Sequence, residues 1–188
     1  TNRDDTNEMA KLNDFSTFEG REISNQDIAL SLSIEKLMSD DDDFNVNKAI
    51  LFSNTINKAD EQIKNLKFDW LKNVFGFKST ISSKQPMETR KEILSEFASS
   101  KKGIISNARC LTEGIDVPDV DCVIFSERKS SIIDLVQSTG RALRKNRENP
   151  DKRAKIYIPI YLDQIQNNAL NLERYEHMFE IIESLKAH

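Results

Sequence analysis

The chain has 188 residues, 38% of them hydrophobic and 31% charged, which fits one packed domain with polar extensions or two small domains. No run approaches 18 apolar residues and the opening Thr1-Asn2-Arg3-Asp4-Asp5 is not an apolar leader, so no membrane partner is expected and the cytoplasm is the expected location. Cys110 and Cys122 match neither a disulfide framework nor a CxxC pair, and His177 and His188 are the only histidines; a metal site or a His-dependent catalytic set therefore has little to draw on. The chain starts without Met, and an excised segment of a longer polypeptide is expected.

The net charge of −4 hides an asymmetry. Residues 1–47 hold 4 basic and 12 acidic side chains, whereas 48–188 hold 23 and 19. The larger part permits a polyanionic partner without requiring one.

In chain order, residues 1–20 are polar, with Phe15 and Phe18 as anchors. A helical period follows from Ser24, a suitable N-cap, to Met38, with Ile28, Leu30, Ile34 and Leu37 expected to pack. Asp40 to Asp43 lack the spread ligands and the glycine of a calcium loop and read as a solvated linker. Lys48 to Ser53 is a short apolar run typical of a buried parallel strand. Residues 55–72 carry Ala59, Ile63, Leu66 and Trp70 at helical spacing, and 79–82 is a second strand. Pro86 is placed at the first position of a helix, where its missing N–H costs nothing. Strands are expected at 103–107, 121–125 and 154–161, the last weakened by Pro159 to a strand end or an edge position. Helices are expected at 132–143 and 164–186. Alternating strands and helices predict a parallel sheet with helices on both faces.

Ligands of such sheets bind beyond the carboxyl ends of the strands. Two segments there stand out. Residues 107–118 place Gly114 and Asp116 in a loop between strands; glycine permits close backbone approach, and the carboxylate accepts from a sugar hydroxyl or holds a water. On a helix, Gln137, Arg141 and Arg144 share one face, and Gly140 costs about 1 kcal/mol relative to Ala unless something approaches closely. Two guanidinium groups on one face form a fork for phosphate oxygens; a solvated face or a salt bridge to Asp134 is the competing explanation.

Taken together, these segments resemble the second RecA-like domain of superfamily 2 helicases. Residues 111–118 look like motif V; Gln137, Gly140, Arg141 and Arg144 match Q-x-x-G-R-x-x-R of motif VI; Lys48 to Thr55 resembles motif IV. Order and spacing agree over residues 46–162. Motif VI begins with Gln rather than the His of RNA-type DEAD-box proteins, which is similar to the helicases related to the type III restriction subunit. No G-x-x-x-x-G-K-[ST] and no Asp-Glu box occur; those belong to the first RecA-like domain. Ala108 stands where many relatives carry a nucleic-acid-contacting Thr, which leaves Thr112 or Asn107 for that contact.

The resemblance implies a three-layer α/β RecA-like sheet over 45–163, an acidic helical extension and linker over 1–44 and a packing helix over 164–188. It implies an ATP-dependent helicase or translocase in which ATP sits between this domain and a first RecA-like domain of the same polypeptide, with Mg2+ held outside this chain. Gly114, Asp116, Gln137 and Gly140 would line the nucleotide, and Arg141 and Arg144 would meet its phosphates. Ser53, Asn54, Ser82, Asn107 and Thr112 would grip a nucleic-acid backbone, DNA in preference to RNA. The alternative is a degenerate RecA-like domain that only binds a protein or nucleic acid.

Overall fold

The computed structural model describes residues 15–18, 20–39, 46–67, 74–108, 120–126 and 155–158. The expected helices at 132–143 and 164–186 lie outside them. Two strands that the sequence reading does not contain come first. Strand β1 (Phe15–Phe18) pairs antiparallel with β2 (Arg21–Ser24), Phe18 opposite Arg21. Gly20, at φ 76°, takes the left-handed conformation that closes so tight a hairpin. The segment before residue 44 is thus not purely helical. Each strand is only four residues long, too short for alternation to register against background.

Helix α1 (Asn25–Met38) follows directly. Ser24 caps it as expected: its Oγ accepts from Asp27 N–H at 3.1 Å and donates to Asp27 Oδ2 at 2.6 Å. Asp27 also pairs with Lys58 Nζ at 2.7 Å, and Arg21 Nη2 donates to Asn65 Oδ1 at 2.8 Å. These two contacts fasten the hairpin and α1 to the next helix. Leu30, Ile34 and Leu37 are buried as predicted, Met38 joins them, and Ile28 is half-buried. Leu32 lies on the opposite, exposed side.

Five parallel strands form the central sheet, in the order β4 (Phe77–Ser82), β5 (Gly103–Ala108), β3 (Lys48–Ser53), β6 (Cys122–Phe125), β7 (Lys155–Tyr157). Strand β3 is central and buried from Ala49 to Ser53, as its unbroken apolar run predicts. Successive β3 side chains alternate between two cores. Ala49 and Leu51 pack with Leu30, Ile34 and Met38 of α1 and Ile63 of α2 (Ile56–Asn65). Ile50 and Phe52 pack with Phe97 of α3 (Met87–Ser99), Ile81, Ile105 and Phe125. Helices therefore cover both faces, and α1 is a wall of one core rather than an appendage.

Several boundaries differ from expectation: β4 begins at Phe77 rather than at 79, and of the predicted 154–161 strand β7 covers Lys155–Tyr157. Helix α2 is capped by Thr55 and stops at Asn65, within the predicted 55–72; residues 68–73 lie outside the described part. Pro86 is the N-cap of α3, not its first helical residue. Its ψ of 152° is extended, and its carbonyl accepts from Arg90 N–H at 3.1 Å, opening the helical ladder. Strand β7 is three residues long at the sheet margin, in line with the edge position anticipated from Pro159. Gly103 opens β5 beneath α3, where a Cβ would come within 2.8 Å of Ser100 Oγ.

Candidate nucleic-acid interface

Parallel register carries every strand's carboxyl end to the same side of the sheet. Ser53 and Ser82 both lie opposite Ala108, and Asn107 lies between Phe52 and Ile81. Ser126 closes the row from β6, donating to Phe52 O through both N–H and Oγ at 3.1 Å. Residues separated by up to 73 positions thus form one polar margin. Among its described residues, Ser53, Asn54, Ser82, Ser83, Lys84, Asn107 and Ser126, none is acidic. These described residues present no charge repulsion to a polyanion.

The structure brings Ser53, Asn54, Ser82 and Asn107 together, but it encloses some of their side chains. Ser53 is fully buried; its hydroxyl donates to Gln62 Oε1 at 2.5 Å and lies 3.1 Å from Ser106 Oγ. Asn107 is equally buried, and Asn54 is half-buried. The side chains of Ser53 and Asn107 are thus enclosed, and only their main chain lies at the strand ends. Ser82 N–H is taken by Gln85 Oε1 at 2.8 Å. What projects from the described margin is Ser83 and Lys84, both exposed.

Three participants were not singled out from the sequence. Gln62 occupies the buried stripe of α2 beside Ala59 and Ile63, and a polar residue in an apolar stripe is the signal that marks it. Its Nε2 is buried without a hydrogen-bond partner among the described residues. Ser106 is one of the polar positions of the otherwise apolar, fully buried β5. Gln85 lies in a loop with no pattern around it.

Among the described residues no group of His, Cys, Asp or Glu could hold a metal ion, and no helix is long and apolar enough to cross a membrane. Thr112, Gly114, Asp116, Gln137, Gly140, Arg141 and Arg144 lie outside the described residues. They follow β5 and β6 in sequence.

A five-stranded parallel sheet with helices on both faces, its carboxyl margin polar, defines a RecA-like α/β domain. Residues 32–146 match the helicase conserved C-terminal domain, and the chain belongs to that family. The matched range opens inside α1 and encloses both the polar margin and the Gln137 to Arg144 segment. A "probable helicase" of African swine fever virus is 29% identical over 101 residues, covering 53% of this chain and 11% of the viral protein. The type ISP restriction-modification enzyme LlaBIII, solved bound to DNA, superposes with TM-score 0.66 at 25% identity, covering 86% of this chain and 12% of that one. Domain 2 of the DEAD-box helicase Mss116p, solved on an RNA duplex, has TM-score 0.56 at 21% identity, over 71% of this chain and 49% of that one, and shares the fold. The chain thus spans about a tenth of the viral relative and of the restriction enzyme. It is a superfamily 2 helicase C-terminal domain, with a restriction enzyme among its neighbours.

Proposed function

We propose that this chain is the second motor domain of an ATP-dependent nucleic-acid helicase or translocase. The observation that carries the reading is the family match over 32–146, which spans the described polar strand ends and the two arginines of the proposed phosphate fork. In this reading the nucleotide lies in a cleft between the domain and a first RecA-like domain of the same polypeptide. ATP and Mg2+ supply the cleavable phosphoanhydride and its charge neutralisation.

This chain's own residues orient and stabilise. Gly114 and Asp116 line the nucleotide, Gly140 allows close approach, and Gln137 positions its phosphates. Arg141 and Arg144 meet negative charge with planar, bidentate donors, one serving as an arginine finger. The margin of strand ends holds the nucleic-acid backbone through main-chain groups, Asn54, Thr112 and Lys84, without reading bases. DNA is the favoured partner, because motif VI opens with Gln137 rather than His. The isolated chain, lacking a phosphate-cradling loop and its lysine, turns over no ATP.

The test is steady-state ATPase of the intact protein with nucleic acid present. Arg144→Ala should lower kcat by about 10³-fold or more, as loss of an arginine finger does in GTPases. KM for ATP should change less, because the charge matters most in the transition state. Arg144→Lys should rescue poorly, since a point charge does not reproduce the fork. If Arg144→Ala and Arg141→Ala both keep wild-type kcat, the motor reading fails. Stimulation by poly(dT) above poly(U) tests the DNA preference.

A further inference from the structure

Strand β4 is an outer strand of the sheet. Phe77 N–H donates to Lys102 O at 3.0 Å, which turns odd-numbered β4 residues toward β5 and even-numbered ones toward the open side. An outer strand presents unpaired N–H and C=O groups there. At the carboxyl end of β4 one side chain takes up two of them. Gln85 Oε1 accepts from Ser82 N–H at 2.8 Å, and Gln85 Nε2 donates to Thr80 O at 3.1 Å. This is the pair of bonds that one residue of a sixth parallel strand would make. The two partners also settle which end of the amide is oxygen, since Ser82 N–H can only donate and Thr80 O only accept. Gln85 N–H donates back to Ser82 O at 3.2 Å, closing the turn from the other direction. Pro86 follows with a ring-fixed φ of −53°. Between these ties stand exposed Ser83 and Lys84.

We propose that Gln85 is a positioning residue for nucleic-acid binding. Its carboxamide imitates a neighbouring strand and holds the Ser82–Gln85 turn. Lys84 is thereby presented at the polar margin, in reach of one phosphate of a strand lying across the sheet. The inference rests on the reading of that margin as the nucleic-acid face. It adds the device that fixes the face at its outer end, where no further strand among the described residues does so.

A double-mutant cycle in the intact protein tests it, using the poly(dT) concentration for half-maximal ATPase stimulation across a salt series. Lys84→Ala removes the charge. Gln85→Met keeps the side-chain volume and loses both bonds. Each should raise half-saturation about tenfold, the worth of one charge-assisted hydrogen bond, and lower the salt slope by about one. Measuring kcat at saturating poly(dT) separates this loss of binding from a loss of turnover. The double variant should be no weaker than either single one, because Gln85 acts through Lys84. Gln85→Asn, one methylene too short to span Thr80 O and Ser82 N–H, should behave as Gln85→Met does and serves if that variant folds poorly. Multiplying effects in the double variant, or an unchanged half-saturation in both Gln85 variants, overturns the proposal while leaving the nucleic-acid face intact. A wild-type protein that neither binds nor responds to poly(dT) or poly(U) overturns the face itself, and this proposal with it.

Discussion

The two ends of the sheet are built from different chemistry. At the amino end, charged side chains are tied to main chain. Asp121 Oδ2 accepts from Asn47 and Lys48 N–H at 3.1 Å each, stapling the start of β3 to that of β6. Lys102 Nζ donates to Met38 O at 3.0 Å. Lys48 Nζ donates to Ala98 O and sits over the Phe97 ring. At the carboxyl end the described groups are small and mostly neutral: Ser53, Ser106, Ser126, Gln62 and Gln85 bond to one another or to strand ends. Charges spent on backbone partners hold the fold. Among the described strand-end residues of the carboxyl side none is a carboxylate, which favours an anionic ligand there. In the proposed reading, one sheet separates structural from ligand-facing polarity by direction alone.

Substitutions can break or sharpen this contrast. The largest effect is expected at the amino end. Asp121→Ala strips two N–H groups of their acceptor and should lower unfolding free energy by about 1–3 kcal/mol in urea titrations. Asp121→Asn, which keeps an acceptor oxygen, should cost less. Neither should alter the salt dependence of nucleic-acid binding by the folded protein. At the carboxyl end, Gln62→Leu removes a buried donor that has no partner among the described residues and leaves Ser53 Oγ beside Ser106 Oγ. Its effect on the urea midpoint should correspond to less than about 1 kcal/mol. A loss as large as that of Asp121→Ala would mean that the carboxyl end is structural too.

The smallest effect concerns Lys78, near the amino end of β4. Desolvation, with a contribution from Lys67, holds its ammonium below the usual 10.5. The folded state therefore binds fewer protons than the unfolded one between the lowered value and 10.5, so this group's cost to stability fades as pH rises through that window. Lys78→Met should be at least as stable as wild type at pH 7, by thermal melting. The gap should close toward pH 10.5. A variant clearly less stable at pH 7 would show that the Leu66 O and Phe75 contacts outweigh the desolvation.

Legibility in the sequence followed the strength of the local pattern. Strand β3 was readable to the residue, because a strand buried on both faces is an unbroken apolar run with polar bounds. The N-cap at Ser24 and the stripe of α1 were readable because both lie within a few turns of chain. The β1–β2 hairpin was not, since two four-residue strands carry no decisive period. Pro86 was displaced by one position: its fixed φ suits the N-cap and the first turn alike. At the site, the strand-end serines and Asn107 were legible as positions, because α/β topology puts function there. Their enclosure was not, since whether a serine faces solvent or a glutamine from α2 depends on how the helix seats.

The sequence by itself determined the alternation of elements, the parallel sheet, the two-sided burial of β3 and the succession of motifs that resembles a helicase domain. These rest on local periodicity and on residue types at fixed spacing. Only the tertiary structure decided that β3 lies between β5 and β6, so that Ser53 meets Ser106 and Ser126 meets Phe52. It also decided that α1 belongs to the core and that Gln85 completes the outer edge of β4. The reason is physical: strand order and side-chain seating depend on contacts between segments far apart in the chain, and no local period encodes which of them meet.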